Sequence, residues 1–163
     1  MRDVVFKAAG MNNSGIDDAL AIIPRRARGY ARAKEGSLQG ATDIDSSDKY
    51  PGGGLLVSAE DLAKFALALE SGKLLQPAAL NVMWSAQTTS AGESTGYGLG
   101  WGILSDHGEL AVAHTGGQQG ATATLFLIPG RGFAVAVMTN IEDVNTANIA
   151  HSIADSLRTD STN

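Results

Sequence analysis

The sequence predicts an α+β fold in which an antiparallel sheet is flanked by helices. Two apolar runs, Ala121–Ile128 and Phe133–Thr139, are joined by residues 129–132, Pro-Gly-Arg-Gly, which favour a tight hairpin turn. Both runs are apolar on both faces, which is typical of a central sheet position covered by helices. Because the strands follow one another directly and helical patterns lie before and after them, the pattern indicates α+β rather than a βαβ array.

The order of the elements predicts one partial domain over residues 1–163. It comprises a loop-rich segment at 1–54, a helical segment at 55–96, antiparallel strands at 97–140 and a C-terminal helix at 141–158. The first segment is rich in Gly, Ser, Asn and Asp, and so long a loop is uncommon in a compact domain unless it surrounds a site or has lost the partner on which it packs.

The helical segment has clear start and stop signals. Ser58 is the expected N-cap, with Asp61 three residues later at the acidic position of a capping box, and Gly72 supplies the stop. We therefore predict a helix over 59–71. Its apolar face is formed at helical spacing by Leu62, Phe65, Ala66 and Leu69. Pro77 fits the first turn of a second, short helix that runs to Trp84.

The strand segment begins with a glycine-punctuated aromatic stretch, residues 97–104, which we predict to be a strand. Residues 106–108 form a hairpin turn, residues 110–114 form the next strand, and residues 115–120 break that strand. After the last strand, Asn140 is the expected N-cap of the closing helix, with Glu142 and Asp143 in its first turn.

Composition narrows the function classes. The net charge of −5 disfavours a nucleic-acid partner, and a basic cluster at residues 25–34 is expected to be a solvated loop. No apolar run reaches about 18 residues, so no membrane span is expected, and the N-terminus carries no signal-peptide pattern. The chain has no cysteine, and His107, His114 and His151 are not at metal-ligand spacing, so we expect no metal and no cofactor.

The most informative motif is His114-Thr115-Gly116-Gly117, set between two strand patterns. Serine acyl-transferases of the penicillin-binding type carry a Lys/His-Thr/Ser-Gly triplet on the strand that walls the active site. The alternative is a structural histidine on a strand. The glycine run at 52–54 lacks the following Lys-Ser/Thr of a phosphate-binding loop, so we interpret it as a turn into the helix.

Four segments, residues 6–11, 52–65, 97–101 and 114–140, together resemble the serine β-lactamase-related family of class C β-lactamases, D-alanyl-D-alanine carboxypeptidases and related esterases. The resemblance implies the C-terminal part of the β-lactamase/transpeptidase-like fold and a serine hydrolase that acts through an acyl-enzyme on an ester, amide or β-lactam. The substrate is a small molecule or a peptide, and the choice among these remains open. It also implies a periplasmic or secreted location.

The resemblance implies roles for individual residues. Gly117, just after the triplet, would donate its backbone N–H to the oxyanion hole. His114 and Thr115 would bind the substrate's carboxylate or carbonyl side, beside Gly116, with His114 replacing the Lys of the commoner pattern. Tyr97 and Trp101 would line the substrate cleft, with core packing as the alternative.

The family's Ser-x-x-Lys nucleophile motif and its Tyr/Ser-x-Asn element normally precede the segment that Gly10 and Met11 match, so we expect this chain to lack both and to have little or no turnover alone. Ser46 and Lys49 satisfy the spacing, but in a polar loop rather than on a helix, and the Ser-x-Asn at 161–163 is expected to be coincidence. The alternative function is a non-catalytic, truncated or degenerate module that forms homo-oligomers through an uncovered sheet face.

Overall fold

The computed structural model describes residues 1–42, 45, 46, 49, 50 and 52–159. Its N-terminal third contains only short elements, as the loop-rich pattern predicted. A π-helical turn, Arg2–Phe6, leads into the short helix α1, Lys7–Ala9. Two small antiparallel pairs follow, β1 with β4 and β2 with β3. These strands are β1 (Gly15–Ile16), β2 (Tyr30–Arg32), β3 (Leu38–Gly40) and β4 (Leu55–Leu56).

The two predicted central helices are confirmed. Helix α2 spans Ala59–Glu70, and the hydroxyl of its N-cap, Ser58, accepts a hydrogen bond from the Asp61 N–H at 3.1 Å. The helix ends one residue before the predicted boundary. Helix α3 spans Pro77–Met83, with proline in its first turn as predicted.

A four-stranded antiparallel sheet follows, in the order β5-β6-β7-β8. Its strands are β5 (Gly102–Asp106), β6 (Glu109–Gln118), β7 (Ala121–Ile128) and β8 (Phe133–Thr139). The bounds of β7 and β8 are those that the sequence predicted. The predicted turn between β5 and β6 is also present, because His107 and Gly108 have φ of 50° and 81°, which suits a two-residue hairpin of the primed type.

Two strand predictions were wrong. Strand β5 begins at Gly102 rather than at Tyr97, because residues 97–101 form a loop in which Gly100 has a φ of 83°. Strand β6 does not break at Thr115 but continues to Gln118, because its glycine-containing end pairs in register with β7. Glycine weakens strand propensity, and here the neighbouring strand overrides that preference.

The closing helix, α4, spans Thr146–Thr159 and begins later than predicted. Asn140 is not its N-cap. The side chain of Asn145 accepts the hydrogen bond from the Asn148 N–H at 3.0 Å, and Asp143, expected in the first turn, has a φ of 57° that a helix excludes.

Helices cover both faces of the sheet. One face packs on α2 and α3 through a core that includes Val112, Leu125, Leu127, Trp84 and Trp101. The other face packs on α4 through Ala111, Phe126, Ile128, Val135, Ala150 and Ala154. The predicted uncovered sheet face is therefore not observed around the described core. Within the described residues, no helix is long and apolar enough to cross a bilayer.

A buried carboxylate fastens the N-terminal segment to α2. Asp61 is fully buried and accepts hydrogen bonds from the Asn13 N–H at 2.6 Å, the Ser14 hydroxyl at 2.9 Å and the Lys64 ammonium at 3.3 Å. Burial by itself would raise the pKa of Asp61, but these three donors outweigh it and the pKa is lowered. The charged form of Asp61 therefore stabilises the folded state.

Replacing this carboxylate tests its role. Asp61→Asn should lower the free energy of unfolding by about 1–3 kcal/mol, because an amide cannot accept from all three donors at once. Glu60→Gln is the matched control: it removes the same charge from the same turn, but at an exposed side chain, and should change stability by no more than about 0.5 kcal/mol. Urea unfolding measures both.

The difference in stability between the wild type and Asp61→Asn also depends on pH, in a direction that follows from the lowered pKa of Asp61. Since the folded pKa of Asp61 is lowered, its contribution is complete above the unfolded value of about 3.9 and is lost as the pH falls through the folded value. The stability gap between the wild type and Asp61→Asn should thus narrow only in acid below that value. A gap that narrows instead as the pH rises above neutrality would contradict this account.

Candidate active site at the open end of β6

Strand β6 is longer than its neighbour β5, and its last part has a strand on one side only. The pairing of β5 with β6 ends where Gly102 meets Ala113, whereas β6 continues to Gln118 beside β7. Residues 114–118 therefore lie along an open edge, and no backbone pairing on that side is seen in the part of the chain that the structure describes. We call this stretch the open edge of β6.

The register determines which peptide groups the open edge presents. Asp106 and Glu109 flank a two-residue turn and form a hydrogen-bonded pair, so every second residue of β6 from Glu109 onward points its N–H and C=O toward β5. That series continues to Thr115 and Gly117, where β5 has ended. The alternate residues, including Gly116, point toward β7 instead. The N–H groups of Thr115 and Gly117 thus face the open side.

The two glycines of the motif leave the open edge accessible. A Cβ built on Gly116 or on Gly117 meets no atom within 4 Å, and neither residue has a positive φ. The fold itself therefore does not require glycine at these positions. An incoming group could approach the backbone closely, which is what the absent side chains permit.

The loop before β5 brings Tyr97 to His114. The Nδ1 atom of His114 lies 2.7 Å from the carbonyl oxygen of Gly100 and 3.0 Å from the hydroxyl oxygen of Tyr97. The His114 side chain is exposed at the open edge, and the Tyr97 ring is also partly exposed. These two side chains and the open edge form one surface.

Trp101, predicted to line the same cleft, lies in the core instead. It is only 6% exposed and packs edge to face on Trp84, with ring centroids 6.5 Å apart. Core packing, the alternative reading of this aromatic residue, is what the structure has, and Trp101 is not among the residues that a substrate could touch.

Thr115 lies on the opposite face of the sheet from His114, because side chains alternate along a strand. Its hydroxyl is 2.9 Å from that of Thr124 on β7, which is 2.8 Å from that of Thr146 at the start of α4. Thr124 and Thr146 are both buried. The sequence did not predict these three hydrogen-bonded hydroxyls. The one local sign of them in the sequence is a threonine on β7 between apolar neighbours.

A second contact that the sequence did not reveal closes the end of β6. The Gln118 side-chain amide donates to the carbonyl oxygen of Gly53 at 2.5 Å, and a Cβ on Gly53 would overlap that amide. The glycine run at 52–54 therefore serves close contact with β6 as well as the turn into α2.

The one Ser-x-x-Lys motif in the sequence, at residues 46–49, does not have the geometry of a nucleophile site. Ser46 is 3% exposed, and its hydroxyl donates to the Asp17 carboxylate at 2.8 Å, while Asp17 also pairs with Arg26 at 3.0 Å. Lys49 lies in the same non-helical loop and is exposed. Residues 47, 48 and 161–163, which belong to this motif and to the Ser-x-Asn spelling, lie outside the described residues.

One side-chain trio among the described residues has metal-ligand geometry, at the opposite end of β6. The ligand atoms of Asp106, His107 and Asp155 lie within 4.8 Å of one another. Protein groups already engage them, because Arg158 pairs with Asp106 at 2.5 Å and His107 is 3.0 Å from Asp155. Since these groups already form ion pairs with one another and with Arg158, we describe the trio as an ion-pair cluster.

The fold agrees with comparisons to known proteins. The sequence model of the Beta-lactamase family matches residues 1–158, and the chain belongs to that family. The predicted resemblance is thereby confirmed, together with the β-lactamase/transpeptidase-like fold.

Three relatives illustrate the similarity. The human mitochondrial serine beta-lactamase-like protein LACTB is 27% identical over 172 residues, covering 82% of this chain and 31% of its own length. The octameric penicillin-binding protein homologue from Pyrococcus abyssi is 25% identical, with a TM-score of 0.79 over 97% of this chain and 36% of its own. The D-amino acid amidase from Ochrobactrum anthropi SV3, at 21% identity, has a TM-score of 0.70 over 99% and 51%. The chain thus spans about a third to a half of the length of these relatives.

Alanine substitutions distinguish glycines that serve the fold from those that serve the open edge. Gly117→Ala should leave the free energy of unfolding unchanged or raise it by up to about 1 kcal/mol. The added methyl group would meet no atom within 4 Å, and alanine restricts the conformations of the unfolded chain. In Gly98→Ala, the matched control, the new methyl would lie 2.2 Å from the Met83 carbonyl oxygen, and we expect a loss of about 1–3 kcal/mol. Thermal unfolding measures both, and an equal loss in both variants would contradict the structure.

Proposed function

We propose that the open edge of β6 is the oxyanion wall of an acyl-transfer site in a serine hydrolase that acts on an ester, amide or β-lactam through an acyl-enzyme. The supporting observation is the open edge itself: by register the N–H of Gly117 points to the side of β6 where β5 has ended, beside His114 and Tyr97, and a Cβ on Gly117 would meet no atom within 4 Å. The chain has a β-lactamase-like fold and is related to serine hydrolases such as penicillin-binding proteins and amidases.

The proposed chemistry assigns a role to each group. As a nucleophile attacks the substrate carbonyl, negative charge develops on its oxygen, and the fixed Gly117 N–H would donate a hydrogen bond to it. A donor of this kind typically contributes about 10²- to 10³-fold to turnover. Gly116 would keep the approach clear, and His114 and Tyr97 would contact the remainder of the substrate. Thr115, held by Thr124, would fix the strand beneath the substrate. The reaction requires no cofactor.

The nucleophile is the part that the described residues do not offer. Among them, no serine has a lysine on the next turn of the same helix, and the Ser46 hydroxyl is bound to an aspartate rather than to a base that could activate it. We therefore propose that this chain supplies the oxyanion wall to a nucleophile held elsewhere. The intact mass should accordingly be unchanged after exposure to a fluorophosphonate or a penicillin, and an adduct lost in Ser46→Ala would contradict this part.

Proline substitutions test the oxyanion wall directly. Gly117→Pro should keep the fold, because its N–H faces the open side, and should abolish binding of acyl ligands. Gly116→Pro is the matched control: its N–H belongs to the ladder with β7, so the variant should be destabilised. Binding is followed by backbone NMR with L-phenylalanine amide and benzylpenicillin, which should shift the signals of Gly116 and Gly117. The absence of any shift at the open edge in the wild type would overturn the proposal.

A second candidate function, association with copies of itself, is favoured by an apolar stripe on α4. Ile149, Ile153 and Leu157 recur on one side of the helix and are 42%, 39% and 48% exposed. The Pyrococcus abyssi homologue is described as octameric. We propose that this stripe, rather than a sheet face, is where the chain would pair, since exposed apolar stripes drive association.

Replacing one apolar residue of the α4 stripe with aspartate tests whether the stripe mediates association. If the wild-type chain is a dimer or larger in sedimentation or light scattering, Ile153→Asp should make it monomeric. Val82→Asp, the same change at an exposed apolar residue of α3, should leave the oligomer intact. A wild type that stays monomeric at high concentration would contradict this second function.

A further inference from the structure

The hydrogen bonds of His114 fix which of its two ring nitrogens carries the proton. The Gly100 carbonyl oxygen can only accept a hydrogen bond, and it lies 2.7 Å from Nδ1. A neutral ring with an unprotonated Nδ1 would place a nitrogen lone pair against that oxygen. The contact therefore requires an N–H on Nδ1, which leaves Nε2 as the unprotonated nitrogen of the neutral ring.

The same proton determines the role of Tyr97. Since Nδ1 is the donor, the Tyr97 oxygen at 3.0 Å can only accept from it, as the second acceptor of a shared hydrogen bond. The Tyr97 hydroxyl hydrogen is then free to point elsewhere. The surface beside the open edge thus presents an acceptor on His114 and a donor on Tyr97.

The carbonyl that fixes the ring is itself held firmly. Gly100 has a φ of 83°, in a loop closed by the hydrogen bond from the Gly98 N–H to the Trp101 carbonyl at 2.7 Å. The Leu99 N–H donates to the Met83 carbonyl at 2.9 Å, and the buried Trp101 anchors the end of the loop. The position of the carbonyl is therefore set by the fold rather than by the ligand.

We infer that His114 selects acyl substrates that carry a hydrogen-bond donor, such as the ammonium group of an amino-acid amide or ester, over substrates that carry a carboxylate at that point. This rests on the proposed function of the open edge. The Nε2 atom has no hydrogen-bond partner among the described residues, and the side chain is exposed beside Gly116 and Gly117. In the neutral ring, the Nε2 lone pair attracts an N–H and repels a carboxylate oxygen. A lysine at this position would have the opposite preference, because an ammonium group only donates.

The first arm of the test measures the tautomer without any ligand. Long-range proton–nitrogen NMR correlations on the ¹⁵N-histidine-labelled chain, at a pH where the ring is neutral, should show the proton of His114 on Nδ1. The two other histidines provide the internal reference. A proton on Nε2 would overturn the inference whatever the ligands do.

The second arm measures selection with two ligands that differ only in the donor, L-phenylalanine amide and its desamino analogue 3-phenylpropanamide. The wild type should bind the amine-bearing ligand about tenfold or more tightly, as expected for one hydrogen bond to a charged group. His114→Lys should lose that preference and gain affinity for the monoamide of benzylmalonic acid, in which a carboxylate replaces the ammonium group and the carboxamide is kept. His107→Lys, on the distant hairpin, should bind like the wild type.

The outcomes separate the two proposals. Binding of both amides at the open edge with equal affinity would overturn the selection and leave the oxyanion wall standing. Failure of both amides to shift the Gly116 and Gly117 signals would overturn the proposed function, and the selection with it. If His114→Lys proves too unstable to study, Tyr97→Phe replaces it: the tautomer should persist in that variant, because Gly100 alone dictates it.

Discussion

The site depends on a difference in strand length. Strand β6 is held by β7 along its whole second half, while β5 stops where Gly102 meets Ala113. A strand paired on one side is rigid, yet its other side retains unused peptide groups. Edge strands of this kind are normally a liability, because they invite pairing with other chains. Here the edge is bordered by the 97–101 loop, whose Gly100 carbonyl and Tyr97 hydroxyl contact His114, and we propose a small acyl group rather than another strand as its occupant.

Contacts on both faces of the sheet hold this edge in place. On one face, the loop that places Gly100 against His114 is anchored by Trp101 in the α2/α3 core. On the other face, the hydroxyls of Thr115, Thr124 and Thr146 connect the strand to the start of α4. A site that stabilises developing charge must not have to reorganise during the reaction, and these supports are of the kind that prevents it.

The sequence predicted the elements with strong local signals and missed those set by distant contacts. Ser58 and Asp61 located the start of α2, and the Pro-Gly-Arg-Gly turn located β7 and β8. The continuation of β6 through two glycines was missed, because it depends on the register with β7 and not on local propensity. The start of α4 was misplaced because Asn140 and Asn145 are equally good caps by composition, and only the backbone at Asp143 decides between them. At the candidate site, the sequence pointed to residues 114–117 and to Tyr97, whereas it gave no indication of Thr124, Thr146 and Gln118, because their contacts are with residues elsewhere in the chain.

Native-state hydrogen exchange along β6 would show whether the open edge exists, because it reports which amides are hydrogen-bonded without any ligand or assumed activity. We expect the amides of Gly116 and Gln118, which face β7, to exchange slowly and those of Thr115 and Gly117 to exchange fast. The reverse pattern, or uniform protection of all four amides, would show that no N–H of Gly117 is available at the open edge and would contradict the account.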